Sequence, residues 1–331
     1  MNRSMRWAVD TSSFDSPHTK THMLLQAHMS RLDFAVQDYY LDLKSVLDQA
    51  IRVLQAMVDT CAEAGWLAAT LQALLLMQMV VQGRWHDDSP LLNMPGVQNN
   101  QKLQQALHGE GWHVMPRLLA ADKQKVAAVC RRAHATEKEV AEFMELLGRL
   151  PVVNMQLAAA SASANQQQQQ QQPKPLPLSA QTPLQLAPGS TFTLHVSLHR
   201  RNANPNVRIF TPVFSKPKDE GWFLLVGLSA LPVAPGSPPR APAPMDELVA
   251  IKRVNNLKQR HTVQLKIQLP PNVATTHCYT VYLVSDSYLG FDQQMTFRVS
   301  TAGLAGASAS APRNAQVDAA AAAADPDDIY N

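Results

Sequence analysis

The sequence is poor in the features that mark disulfide-rich, membrane-spanning and secreted proteins. Its 331 residues include only three cysteines, and Cys61, Cys130 and Cys278 lie far apart. Three distant cysteines argue against a disulfide framework or a zinc site and for a reducing compartment. The most apolar run, residues 67–81, is interrupted by two glutamines and is too short to cross a bilayer. The first residues contain no apolar segment of a secretory signal, so we expect a soluble chain with no membrane partner.

Catalytic motifs are also missing. The sequence has no Gly-x-x-x-x-Gly-Lys-Ser/Thr phosphate loop, no acidic box to hold magnesium, no Gly-x-Ser-x-Gly elbow and no His-Glu-x-x-His. Ser285, Asp286 and Ser287 have no base near them in the sequence, so a turn is the better interpretation. His18 and His22 have the spacing of a metal pair but lack a third ligand, which favours surface histidines. We therefore predict no catalytic residue, no metal and no cofactor in this chain, which alone is not expected to be an enzyme.

Charge is sparse and unevenly distributed. Charged residues make up 17% of the chain, and the net charge is +3. Residues 1–172 have a net charge of −1, residues 173–300 of +7 and residues 301–331 of −3. Only the middle segment has a basic excess, so a partner with phosphate groups is expected to bind there.

Residues 42–66 have the pattern of one long amphipathic helix, around which the rest of the chain is organised. Asp42 is expected to cap its N-terminus and Gly65 to end it. Apolar residues recur at intervals of three and four: Leu43, Leu47, Ala50, Leu54, Met57, Val58 and Cys61. The opposite stripe consists of Ser45, Asp48, Arg52, Gln55 and Asp59, with Gln49 beside it. Periodicity does not separate two uses of this stripe, a solvated face and a rail for a nucleic-acid backbone with Arg52 as its only cation.

Two helical units are predicted before the basic segment. Residues 1–90 form a helical bundle around the long helix, and residues 91–153 form a helix–loop–helix module of short helices and tight turns. In that module Thr136 and Glu139 have the spacing of a capping box. Its cations either grip a nucleic-acid backbone or form a solvated face: Lys123, Lys125, Arg131 and Arg132.

The basic segment is predicted to be β structure. Period-two alternation indicates seven short strands within residues 188–300, one of them at 207–214, and this number is typical of an immunoglobulin-like sandwich. We expect the sandwich to fold alone. The residues expected to fill its core are Trp222, Phe223, Leu225, Tyr282 and Phe297.

Two biased tracts are predicted to be disordered. Residues 154–187 contain Ala-Ser alternation, seven consecutive glutamines and several prolines, the composition of a linker. Residues 301–331 form an Ala-, Ser- and Asp-rich tail, and the Pro-rich stretch 230–245 is expected to be an exposed insertion.

Five strings of this sequence resemble the Sec sixty-three domain, an accessory unit at the end of each cassette of large Ski-two-like nucleic-acid helicases. The strings are residues 15–30, 44–59, 77–85, 218–223 and 285–292, in the order of the family. They are most similar to the helicases of the activating signal cointegrator complex. The spliceosomal helicase that unwinds small nuclear RNA is a more distant relative, and a protein of endoplasmic-reticulum translocation also has the domain.

The resemblance implies a multidomain α + β architecture. This comprises a partial helical bundle with a ratchet helix at residues 42–66, a helix–loop–helix module and a fibronectin type III-like sandwich. The ratchet helix lies across the floor of the strand channel, which implies that Arg52 contacts the strand and that Gln49, Gln55 and Asp59 lie nearby.

The implied function is that of an accessory, strand-guiding region of an ATP-dependent helicase. Its implied partners are single-stranded RNA or DNA, helicase motor domains and other subunits of the cointegrator complex, in the nucleus and also in the cytoplasm. ATP and magnesium would belong to motor domains that this chain lacks. Two alternatives stay open, a scaffold of endoplasmic-reticulum translocation and a non-functional gene fragment.

Overall fold

A computed structural model describes residues 5–161, 176–178, 182–202, 208–214, 216–230, 241–255, 257–270 and 276–301. Within these ranges the chain is a mixed α/β protein with seven α-helices and two β-sheets. The helices are α1 Pro17–Met29, α2 Asp38–Glu63, α3 Leu67–Gln82, α4 Gln101–Gly109, α5 Met115–Ala120, α6 Lys123–Arg132 and α7 Glu137–Arg149. Among the described helices, none combines the length and the apolar character that a bilayer crossing requires.

The long helix begins earlier than its sequence pattern predicts. Helix α2 starts at Asp38, so the prediction that Asp42 caps it is wrong. The Asp42 carboxylate is instead 2.6 Å from the Lys20 ammonium of α1. At the other end Gly65 has φ = +74°, and Trp66 N–H donates to Cys61 O, so the predicted stop at Gly65 is confirmed.

Three of the short helices, α4, α6 and α7, begin at side-chain caps that the sequence encodes. Asn100 accepts a hydrogen bond from Leu103 N–H at the start of α4, and Asp122 accepts one from Lys125 N–H at the start of α6. At α7 both halves of the predicted capping box are present, because Thr136 accepts from Glu139 N–H and Glu139 accepts from Thr136 N–H.

The two sheets contain nine strands. These are β1 Val153–Ser161, β2 Leu176–Pro177, β3 Leu184–Gln185, β4 Thr191–Arg200, β5 Gly221–Leu228, β6 Glu247–Asn255, β7 Arg260–Gln268, β8 Thr276–Ser285 and β9 Gln293–Ser300. The four-stranded sheet has the order β2-β1-β4-β7, and the five-stranded sheet has the order β3-β9-β8-β5-β6. All pairs are antiparallel except β3 with β9.

The predicted linker is wrong over its first residues. Strand β1 pairs with β4 over nine positions, from Val153 opposite Arg200 to Ser161 opposite Phe192. Met155, Leu157 and Ala159 point into the core, so the small residues of this stretch still alternate with period two. Residues 176–178 and 182–187 are also described, with β2 and β3 among them. The other linker residues, the stretch 231–240 and the tail beyond residue 301 lie outside the described part of the chain.

The core aromatic residues are divided between two layers. Phe192, Tyr279 and Phe297 pack against one another between the two sheets, with ring centroids 5.4–6.3 Å apart, and Trp222 is buried in the same cluster. The other predicted core residues do not face this space. Phe223, Leu225 and Tyr282 lie on the opposite side of the five-stranded sheet, where they pack against α2 and α3.

The segment after β4 is not the strand that its alternation predicts. Among residues 208–214, an isolated bridge joins Arg208 to Asp219, and no regular strand forms. The segment serves as a brace instead, because Thr211 Oγ1 donates to Val81 O and Tyr288 Oη accepts from Phe210 N–H.

Two polar contacts lock the helices to the sheets. Gln82 Nε2 of α3 donates to Ser287 O, 2.9 Å away. Arg200, at the end of β4, forms a fully buried ion pair with Glu220, 2.8 Å away, and donates to Arg149 O at the end of α7. Burial raises the pKa of Glu220, while the Arg200 charge opposes that shift.

Candidate nucleic-acid interface

Helix α2 is held along one side by an apolar interface. Leu47, Leu54 and Val58 are buried, and they belong to one cluster with residues of α3 and of the five-stranded sheet. A helix of 26 residues is about 39 Å long, so this cluster supports a long straight element.

Polar contacts fix α2 at three points along its length. The N-terminal part is tied to α1 by the Lys20–Asp42 ion pair. Near the middle, Asp48 is 2.8 Å from Lys216, which precedes β5. At the C-terminal end, Leu248 N–H of β6 donates to Gly65 O at 2.8 Å. Asp48 therefore belongs to the packing side, although the sequence pattern places it in the polar stripe.

Three of the four residues expected to contact a strand lie on the open side of α2. Gln49, Arg52 and Asp59 are exposed, whereas Gln55 is half-buried at the edge of the interface. Arg52 makes no ion pair with the described residues. Gln49 and Gln55 each lie three residues from Arg52 on this helix, and they differ in burial: Gln49 is exposed with Arg52, whereas Gln55 is partly covered.

The open side of α2 also presents apolar groups that the sequence pattern misplaced. Met57 is 46% exposed rather than buried, and Val53 beside Arg52 is 57% exposed. Trp66, just past the helix, is 60% exposed because its backbone bridges to Glu247 of β6 and leaves the indole outside. The sequence did contain a signal for apolar groups on the open side. Val53 follows Arg52 directly and does not fit the predicted buried stripe.

Carboxylates limit what α2 can bind. The helix contains five acidic residues and two cations, Lys44 and Arg52. Asp42 and Asp48 are ion-paired, as described above, whereas Asp59 lies on the same open side as Arg52. A phosphate on this face would therefore be attracted at Arg52 and repelled at Asp59.

The cations of the helix–loop–helix module are mostly engaged in ion pairs. Lys125 is 2.6 Å and Arg132 3.8 Å from Glu110, and Arg131 is 2.9 Å from Glu137. Of the four predicted cations, Lys123 alone has no ion pair to the described residues. These pairs favour a solvated face with internal charge balance over a grip on phosphates.

Ser285, Asp286 and Ser287 form a structural turn at the end of β8, as their sequence context predicts. Ser285 Oγ accepts from Ser287 N–H, and the buried Asp286 is 2.6 Å from Lys218. The described residues contain no cluster of three or more His, Cys, Asp or Glu able to hold a metal ion.

Sequence comparisons relate the chain to helicases. The family described as the Sec63 Brl domain, the Sec sixty-three domain introduced above, matches residues 1–298. "Activating signal cointegrator 1 complex subunit 3" of Gallus gallus is 35% identical over 310 residues, which cover 86% of this chain and 13% of that protein. "DExH-box ATP-dependent RNA helicase DExH14" of Arabidopsis thaliana is 33% identical over 291 residues, 88% of this chain and 11% of its own length. The "U5 small nuclear ribonucleoprotein 200 kDa helicase" of Homo sapiens is 26% identical over 291 residues, 88% of this chain and 12% of its own.

A structural comparison is less informative. The match to the crystal structure of beta-glucosidase from Listeria innocua in complex with glucose extends over 45% of this chain and 16% of that one. Its TM-score is 0.23 and its sequence identity 12%, so the match carries no argument. The sequence matches decide the assignment, although the chain spans only about an eighth of the length of these curated relatives. The chain belongs to the Sec63 Brl domain family.

Proposed function

We propose that this chain is the strand-guiding accessory region of an ATP-dependent nucleic-acid helicase of the activating signal cointegrator type. In this role α2 is the ratchet helix, and the two sheets are its fibronectin type III-like support. Motor domains on other parts of the protein, or on another chain, supply ATP hydrolysis and its magnesium. Other subunits of the complex are its protein partners, in the nucleus and also in the cytoplasm.

The observation that carries the proposal is the state of Arg52. It is the one exposed cation on the open side of a helix whose other side is fixed to the five-stranded sheet. A guanidinium without an ion-pair partner is free to donate to phosphate oxygens. Because α2 is tied at both ends, a force on the strand is transmitted to the sheets rather than absorbed by the helix.

The neighbours of Arg52 have distinct roles in this proposal. Gln49, one turn earlier, donates hydrogen bonds to the same backbone, and Val53 and Met57 contact sugars and base faces. Asp59 repels phosphate, so it faces a ribose hydroxyl or a base N–H. Contacts of these kinds carry little sequence information, as a guiding surface requires. Two of the relatives named above are helicases by name, which favours this role over a translocation scaffold.

Photo-crosslinking tests the placement of the strand. Ala56 is exposed on the same side as Arg52, and p-benzoylphenylalanine at this position should crosslink to a bound single-stranded 20-mer of uridine or deoxythymidine. The same group at Lys44, exposed on another side of α2, is the matched control and should crosslink far less. Equal crosslinking at both positions, or none while the oligonucleotide stays bound, would overturn the proposed rail.

A further inference from the structure

The outer face of the four-stranded sheet is open and carries charge of one sign. On β7 the exposed outward positions are Arg260, Thr262, Gln264, Lys266 and Gln268, alternating with the buried Val263, Leu265 and Ile267. This alternation turns both cations of the strand to the same face. Arg260 and Lys266 are about 20 Å apart along the strand, at about 3.3 Å per residue.

The neighbouring strands extend this face without adding a carboxylate. On β4, His199 lies opposite Arg260, His195 opposite Gln264 and Thr193 opposite Lys266. On β1 the outward residues are Asn154, Gln156, Ala158 and Ala160. Among the described outward residues of β1, β4 and β7 there is no aspartate or glutamate and no side chain more apolar than alanine. These outward residues are called the basic face below.

The basic face continues into a groove at one end of the sheet. A cavity of about 370 Å³ lies between the start of α6, the end of α7 and the residues after β4. Its lining includes the two cations Lys123 and Arg201. Neither has an ion-pair partner among the described residues, and no acidic residue is among those that line the groove.

We infer that the basic face and this groove bind the sugar–phosphate backbone of a nucleic-acid strand, as a second surface separate from α2. The inference rests on the proposed function, because both require that the chain bind nucleic acid. The two surfaces lie on opposite sides of the β structure, since α2 packs on the five-stranded sheet. A strand held at α2 can therefore be followed by a second segment of nucleic acid on the other side.

The chemistry of the face favours nucleic acid over a protein partner. Stable protein interfaces have an apolar core with aromatic anchors, which the basic face does not offer. Phosphate binding needs only cations and hydrogen-bond donors, and Arg260, Lys266, the amides and the hydroxyls provide both. Since no phenylalanine, tyrosine or tryptophan lies on these outward positions, the contacts are mainly to the backbone and independent of base sequence.

Another explanation for the cations makes a different prediction. Strand β7 is at the edge of its sheet, and charged side chains on edge strands prevent pairing with other chains. If this is their only role, neutral variants will self-associate and nucleic-acid binding will not change. Gel filtration of the same variants measures that outcome.

The experiment measures the salt dependence of binding by the purified 331-residue chain. The probes are a fluorescent single-stranded 20-mer of uridine and a duplex of the same length. Arg260→Gln with Lys266→Gln removes two contacts, which should lower the slope of log K against log salt by about 1.4 for the single strand and about 1.8 for the duplex. If the variant and the unaltered chain bind equally at 1 M salt, then at 0.1 M salt the variant should bind the single strand about 25-fold and the duplex about 60-fold more weakly.

Controls separate this inference from the proposed function. Lys44→Gln with Lys138→Gln removes two exposed cations elsewhere and should leave the slope unchanged. If both double variants bind equally while Arg52→Gln weakens binding, the inference fails and the α2 rail stands. If the face variant weakens binding and Arg52→Gln does not, the rail fails and the inference stands. Absence of all binding overturns the inference. So does binding of a fluorescent polyglutamate 20-mer that the face variant weakens while oligonucleotide binding does not change, which would favour an acidic peptide.

Discussion

The two sheets of this protein differ in what covers their outer faces. The five-stranded sheet turns Phe223, Leu225 and Tyr282 outward, and α2 and α3 bury them. The four-stranded sheet turns polar and basic residues outward, and no described helix packs on it. The five-stranded sheet is thus the surface on which α2 packs, and the outer face of the four-stranded sheet is open to solvent or a ligand.

Because of this difference, we expect the helices and the β structure to fold as one unit. The prediction that residues 188–300 fold alone conflicts with two observations: their sheet needs β1, and one outer face is apolar without α2 and α3. Removal of the helices would expose several large side chains at once, and exposed patches of this kind promote association.

The largest effect is expected from substitution beneath the helices. Leu225 is completely buried between the five-stranded sheet and α2–α3, so Leu225→Ala should lower the free energy of unfolding by about 2–5 kcal/mol. Gln264→Ala on the open sheet should change it by less than about 0.5 kcal/mol. Urea titration of both variants measures the contrast, and equal losses would contradict the distinction between the covered and the open sheet.

A smaller effect is expected from the polar lock between α3 and the sheet. Gln82 is buried, donates to Ser287 O and accepts from Asn93 Nδ2. Gln82→Leu leaves these groups without their partner and should cost about 1–3 kcal/mol in the free energy of unfolding. Gln72→Leu, exposed on the same helix, is the matched control and should be nearly neutral. A neutral Gln82→Leu would show that the hydrogen bond from Gln82 to Ser287 O does not stabilise the packing of α3 on the sheet.

The smallest effect on stability is a pH dependence of the covered side. His28 of α1 is buried and donates from Nε2 to Val80 O of α3, and burial lowers its pKa from the ordinary value of 6.5. The unfolded chain therefore binds a proton at a higher pH than the folded chain. The contribution of neutral His28 to the free energy of unfolding is therefore complete above about pH 6.5. It is lost as the pH falls through the lower pKa of the folded chain, by up to about 1.4 kcal/mol per pH unit.

His28→Gln should remove this dependence, because a glutamine amide donates to Val80 O at every pH. Urea titrations from pH 7.5 to 5 compare the two chains. If the stability of both falls in parallel over this range, His28 does not titrate in the way that its burial requires.

The sequence was most informative where local chemistry decides the structure. Thr136 and Glu139 form their capping box, Gly65 ends α2, and the alternation in β4 and β7 matches the strands found. These features depend on neighbours within a few residues, which a sequence pattern contains.

Long-range packing was not predictable in the same way. Strand β1 could not be recognised from its composition, because a stretch rich in alanine and serine is typical of a linker. What makes it a strand is its pairing with β4, which is distant in the sequence. Alternation could not show whether Phe223 faces a second sheet or a helix, because both bury it equally. For the same reason the pattern placed Met57 inside and Asp48 outside, since only the positions of α3 and Lys216 decide which edge of α2 is covered.

The proposed function requires that the open side of α2 bind a strand through Arg52. The most direct measurement is the affinity of Arg52→Gln and of Lys44→Gln for a fluorescent single-stranded uridine 20-mer between 0.05 and 0.5 M salt. Both variants lose one exposed cation of the same helix. Arg52→Gln should lower the slope of log K against log salt by about 0.7, whereas Lys44→Gln should leave it unchanged. Superimposable lines for the two variants and the unaltered chain would contradict it.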